Sequence, residues 1–114
     1  YEYGIFYLDA MDNLGRYIGK TIEFTAMVLI PEDSKGSYFV PGRMAMTCCA
    51  DDMAFLGYAC IYNHCDTLEN KQWVKVTATV HQEYWEDYNG EGPVLHAIQV
   101  EQTKKPKQEI LNFA

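Results

Sequence analysis

Gln72-Trp73-Val74-Lys75-Val76-Thr77-Ala78-Thr79-Val80-His81-Gln82 is the stretch on which the fold turns. Val74, Val76, Ala78 and Val80 fall on one side, and Trp73, Lys75, Thr77, Thr79 and His81 on the other. An alternation of period two gives a strand one buried and one wet face, and a helix cannot use it. The β-branched residues on both faces suit a pleated, half-buried surface.

The same period recurs on either side. Between Thr21 and Ile30, the residues Ile22, Phe24, Ala26, Val28 and Ile30 alternate with Thr21, Glu23 and Thr25. Pro31-Glu32-Asp33-Ser34-Lys35-Gly36 then supplies turn chemistry. Residues 37–49 read as a second strand interrupted by Pro41-Gly42, a pair that strands accept at edges or bulges. Past that interruption Met44, Met46 and Cys48 share one face, expected to be the core side, and Arg43, Ala45, Thr47 and Cys49 share the other. Leu56 to Tyr62 is a weaker third strand. C-terminal to the opening stretch, residues 83–93 form a loop carrying the hairpin signal Asn89-Gly90, and Val94 to Thr103 makes a fifth strand before a polar tail from Lys104. At the other end, Tyr7, Met11, Leu14 and Ile18 recur at helical spacing, predicting one amphipathic helix over 5–18 that Gly15 ends or loosens. Gly19 marks the turn into the first strand.

One helix followed by five alternating strands predicts a single mainly all-β domain over 1–114, with the helix at 5–18 and the strands within 21–103. A chain this short manages its sheet edges best by closing them, so the architecture expected is a small five-stranded, OB-fold-like Greek-key barrel. A small β-sandwich is the alternative.

At 114 residues and 48% hydrophobic, the chain is long enough for one modest core and too apolar to be disordered. No window holds the ~20 apolar residues of a membrane span. The chain opens Tyr1-Glu2-Tyr3-Gly4 with neither a methionine nor a basic start, so it is expected to be a piece excised from a longer protein. Its formal charge is −7, and the basic residues are scattered apart from Lys104, Lys105 and Lys107, which disfavours nucleic acid as a partner. Four cysteines in so apolar a chain do not read as a secreted disulfide framework. Cys48 and Cys49 could bridge each other only through a strained ring, whereas a bridge from either to Cys60 or Cys65 stays open.

Chemistry concentrates in Arg43-Met-Ala-Met-Thr-Cys48-Cys49-Ala-Asp51-Asp52. Three readings of it stand. In the first, Cys48 and Cys49 are small buried residues and Arg43–Asp52 is a charge-assisted structural clamp at a strand end. In the second, a zinc-type metal takes ligands from Cys48, Cys49, Asp52, Cys60, His64 and Cys65, although Cys60-x3-His64-Cys65 is not a standard zinc-knuckle spacing. In the third, the cation lowers the Cys49 thiol pKa for redox or nucleophilic work, without the usual Cys-x-x-Cys. Of the other histidines, His81 falls on the polar face of its strand. His96 falls in phase with Val94, Ile98 and Val100, as a core histidine or one near a barrel mouth.

Several of these residues carry a resemblance. Tyr17-Ile-Gly19-Lys20 before an Ile-rich strand, Phe39, Arg43, Cys48-Cys49-x-x-Asp52 and Trp73-Val74-x-Val76 resemble an uncharacterised bacterial family. That family is the C-terminal soluble domain of a membrane-protein subunit encoded beside a predicted permease. The likeness runs from about residue 5 to 102, and Arg-x4-Cys-Cys-x-x-Asp is its most specific part. This chain departs from the family pattern at Met53, where Ala usually follows the aspartate, and at Asp51, where a small residue is usual. The resemblance implies an OB-like barrel associated with a membrane through an N-terminal region outside this chain, and a permease subunit as partner. It implies no known activity and does not give the side of the membrane.

No phosphate-binding glycine loop, serine nucleophile motif or His-Glu-x-x-His pattern is present, and no carboxylate spacing marks an acid–base pair. The expectation is a non-catalytic binding or accessory domain of a membrane transport complex, with a metal-binding sensor or metallochaperone as the alternative. The contact surface expected is the loop holding Tyr84, Trp85, Glu86, Asp87 and Tyr88, where three aromatics stand among acids, as interface anchors often do.

Overall fold

The computed structural model describes residues 3–34, 36–46, 53–107 and 109–112. It is mainly β with one α-helix, as the alternation predicts. Helix α1 (Tyr3–Asp12) is followed by strands β1 (Thr21–Leu29), β2 (Tyr38–Met46), β3 (Met53–Gly57), β4 (Cys60–Ile61), β5 (Trp73–Trp85), β6 (Gly90–Gln102) and β7 (Ile110–Asn112). Short 3-10 turns at Leu14–Arg16, Glu32–Ser34, Cys65–Thr67 and Glu86–Tyr88 join them.

The strands hydrogen-bond in the order β1-β5-β6-β4-β2-β3, and β1 pairs with β2 as well, through Met27–Gly42, Val28–Pro41 and Leu29–Val40. Pairing that leaves β1 through β5 therefore returns to it through β2. The β4–β6 and β2–β7 contacts are parallel, and the others between named strands are antiparallel.

Inside lie the faces that alternation selects. Ile22, Phe24, Ala26 and Val28 of β1 and Val74, Val76, Ala78 and Val80 of β5 are all buried. Each fully buried aliphatic side chain contributes about 1.5–3 kcal/mol relative to an exposed one. Phe6, with no exposed surface, brings the helix onto this core against Phe24, Tyr17 and Tyr58. Tyr3 Oη donates to the carbonyls of Pro41 and Leu56, both at 3.0 Å, and so ties the start of α1 to β2 and β3.

Five local expectations are corrected. The α-helix ends at Asp12 rather than running to residue 18, and the 3-10 turn that follows rotates the later residues out of phase. Its buried side is therefore Tyr3, Phe6 and Ala10, while Met11 and Ile18 of the expected stripe are exposed. On β2 the core side is Arg43 and Ala45, and Met44 and Met46 are only half-buried. β2 passes through Pro41-Gly42 without breaking, because its partner on one side changes there from β4 at residues 38–39 to β3 at 42–46. A Cβ on Gly42 would run into the Leu56 carbonyl and the Phe55 ring, so glycine is what lets β2 and β3 approach. The expected third strand is two, β3 and β4, separated at Tyr58-Ala59. The expected polar tail carries β7, which extends the sheet beside β2.

Candidate binding site: an aromatic groove and a histidine pair

The long β5–β6 hairpin builds both features. It pairs from Val74–Gln102 to Trp85–Gly90, so most of the expected 83–93 loop is strand. Asn89 takes a left-handed conformation (φ 55°) after the Glu86–Tyr88 turn, the role for which the Asn-Gly pair is suited.

Between the hairpin tip and α1 runs a groove of about 800 Å³. Tyr7, Met11, Tyr58, Trp85 and Tyr88 are among the side chains lining it, and Asp12, Asp87 and Glu91 add acidic groups. Its aromatic wall is held by hydrogen bonds. Tyr58 Oη donates to the Tyr7 carbonyl at 2.6 Å, and Tyr58 and Tyr7 stack with centroids 4.6 Å apart. Tyr88 Oη accepts from the Ala59 N–H and donates to the Pro93 carbonyl, both at 2.8 Å. Burial pushes the Tyr88 hydroxyl up to about 12 and raises the Tyr58 hydroxyl further, so both stay neutral donors. Trp85 meets Tyr38 edge-on at 4.8 Å. The five expected contact residues thus divide. Trp85 and Tyr88 are half-buried and build the wall, while Tyr84, Glu86 and Asp87 are exposed at the hairpin tip.

On the outer face of the same hairpin stand His81, Glu83 and His96. The first two are two residues apart on β5. His96 lies directly across from Thr79 on β6. His96 Nε2 and Glu83 Oε2 share a short hydrogen bond, each side chain being 38% exposed. Thr79 Oγ1 and His81 Nε2 are 3.0 Å apart, and the two imidazole rings lie 4.1 Å apart between centroids, tilted by 50°. His96 is therefore neither in the core nor in phase with Val100. The register slips between Thr77 and Ala78, where Ile98 is the unpaired extra residue, and this bulge moves every residue before it to the opposite face. His81 is half-buried beside it rather than fully solvated.

The cysteine-rich motif is placed only in part, since Thr47 to Asp52, with Cys48, Cys49 and the Asp52 end of the expected clamp, lie outside the described residues. Arg43 is 8% exposed; its Nε donates to the Glu109 carbonyl at 3.4 Å and its guanidinium lies 5.3 Å from the centre of the Trp73 ring. Burial lowers the Arg43 pKa, and the neighbouring Tyr3 partly restores it. Cys60 and Cys65 are free and buried, and burial raises both thiols, the reverse of an activated cysteine. Cys65 Sγ donates to the Tyr62 carbonyl at 3.2 Å. His64 is exposed, and Cys60, His64 and Cys65 do not on their own bring three ligand atoms within coordination reach. Among the described residues, the grouping that does so is His81, Glu83 and His96. Alternation put His81 on the polar face of its strand, but it left Glu83 in the expected 83–93 loop, and nothing in the sequence announces the bulge that brings His96 to them.

Fold and site together define a small mainly β domain with an aromatic groove. The chain belongs to the family described as the DUF1980 C-terminal domain, whose model matches residues 2–111, and the uncharacterised family inferred from the sequence is in keeping with it. No curated protein matches the chain. Among the described residues, no helix is long and apolar enough to cross a membrane.

Proposed function

We propose that this chain is a non-catalytic accessory domain of a membrane transport complex, docking a permease subunit through the groove between α1 and the β5–β6 hairpin. The observation that carries this reading is the groove's composition, with Met11, Tyr58 and Trp85 as apolar surface and Asp12, Asp87 and Glu91 as acidic groups. A segment bearing apolar anchors flanked by lysine or arginine complements both, and aromatic anchors within a charged surround are the usual energetic centre of such contacts. The chain's net charge of −7 favours the same basic partner over a polyanion.

The pairing pattern supports an OB-like barrel as the scaffold. With the five principal strands β1, β2, β4, β5 and β6 numbered one to five, the pairing order is 1-2-3-5-4 and back to 1, with the third and fifth parallel. That is the Greek-key order of the OB-fold. Such barrels commonly bind through loops at one end, and the hairpin joining the last two strands lines the groove here.

Co-expression of the domain with a permease subunit of the kind the resemblance implies, followed by affinity capture, tests the reading. The wild-type domain is expected to retain the permease in detergent, and the double charge reversal Asp87→Lys/Glu91→Lys to lose it while keeping its thermal midpoint. Both residues are exposed, so their reversal leaves the core untouched. Equal retention by the two proteins would remove the groove from the interaction.

A further inference from the structure

The outer face of the β5–β6 hairpin carries more than an ion pair requires. Glu83 needs one imidazole to make a salt bridge, and it has His96. A second imidazole, that of His81, stands 4.1 Å from the first. It adds nothing to that pair, and when both rings are protonated it opposes it. A metal ion uses all three groups. One ligand atom from each of His81, Glu83 and His96 lies within 4.8 Å of the others. Zinc holds imidazole nitrogen and carboxylate oxygen at about 2.0–2.2 Å, which places donors about 3.3 Å apart around a tetrahedral ion. Half-exposed side chains on a rigid two-strand ribbon close that difference by small rotations, and they leave the ion a path from solvent.

We propose that His81, Glu83 and His96 form a binding site for a divalent transition-metal ion of the zinc type. Two neutral imidazoles and one carboxylate suit zinc, copper(II) or nickel(II), whereas calcium and magnesium prefer oxygen alone. Three protein ligands leave a fourth position for water or an exchangeable ligand, the arrangement of an open site rather than of a closed structural one. Thr79 Oγ1, 3.0 Å from His81 Nε2, helps orient that ring before the ion arrives. The site draws on neither the cysteine motif nor the groove, so it stands or falls independently of the docking reading.

Zinc titration of the reduced full chain, followed by NMR of the histidine ring protons and by calorimetry, is the test. One equivalent is expected to shift the ring signals of His81 and His96 and to leave those of His64 in place. Glu83→Gln and His96→Asn are each expected to weaken zinc binding by at least about tenfold, with unchanged thermal midpoints in the metal-free state. Should His96→Asn lower that midpoint, His81→Gln provides the second variant with the same expected loss. Zinc taken up by the thiols or by His64 while the His81 and His96 rings stay unmoved would overturn the proposal. Wild-type affinity in Glu83→Gln and His81→Gln would overturn it too.

Discussion

Tyr88 shows how one side chain can belong to both the fold and the site. Its hydroxyl accepts the Ala59 N–H and donates to Pro93, joining the β3–β4 connection to the start of β6 beneath the groove. Removing the hydroxyl leaves the Ala59 N–H without its acceptor, which costs about 1–3 kcal/mol when the group is buried. Tyr88→Phe is accordingly expected to lower stability by about 1–2 kcal/mol in a denaturant titration, and an unchanged midpoint would show that water takes over the bond. Asp9 gives a pH signature. Its carboxylate accepts from Tyr17 Oη at 2.6 Å and from Asn13 Nδ2 at 2.7 Å, and those bonds, with a smaller contribution from Arg16, hold its pKa below the usual value. A depressed folded pKa stabilises above the unfolded value of about 3.9 and is lost as pH falls through the folded one. Asp9→Asn should therefore melt below wild type at pH 7, and the gap should narrow by pH 2.5. A gap constant with pH would contradict the assignment.

Among the elements, β1 and β5 as far as Gln82 were legible, because one buried face and one wet face write a period of two directly into the residue order. What alternation cannot report is a change of phase. The bulge at Ile98 leaves the composition of β6 untouched yet turns His96 from the core side to the outer face, so of the three candidate ligands only the outward position of His81 was readable. The same limit governs α1, where the spacing of Tyr7, Met11, Leu14 and Ile18 assumes an unbroken helix and the turn at Leu14–Arg16 breaks it. On Arg43's strand, burial of a guanidinium beneath the 109–112 segment and beside Trp73 ran against the expectation that methionines mark the core. β7 was invisible because three residues are too few to show a period. The helix offers the sharpest contrast. Phe6→Ala is expected to cost about 3–5 kcal/mol as a large buried ring is lost, and Met11→Ala, at 60% exposed, within about 0.5 kcal/mol of wild type. Comparable losses at the two positions would restore the stripe that spacing alone suggested.

At the scale of the whole molecule, the return of pairing from β2 to β1 decides whether the scaffold is a closed barrel or an open sheet. Closure leaves Met27, Leu29, Val40 and Gly42 between paired strands, and their amides are expected to exchange as slowly as those of β5. Fast exchange there, with slow exchange in β5, would mark the scaffold as an open sheet. The two tryptophans lie at the two ends of β5: Trp73 beside the Arg43 guanidinium and Trp85 in the groove. Adding the permease subunit in detergent to the ¹⁵N-labelled domain, with chelator present, and following the two indole N–H signals tests the docking reading most directly. The Trp85 signal is expected to shift or broaden on binding while Trp73 stays sharp and in place. A response confined to Trp73, or none at saturating permease, would contradict docking through the groove.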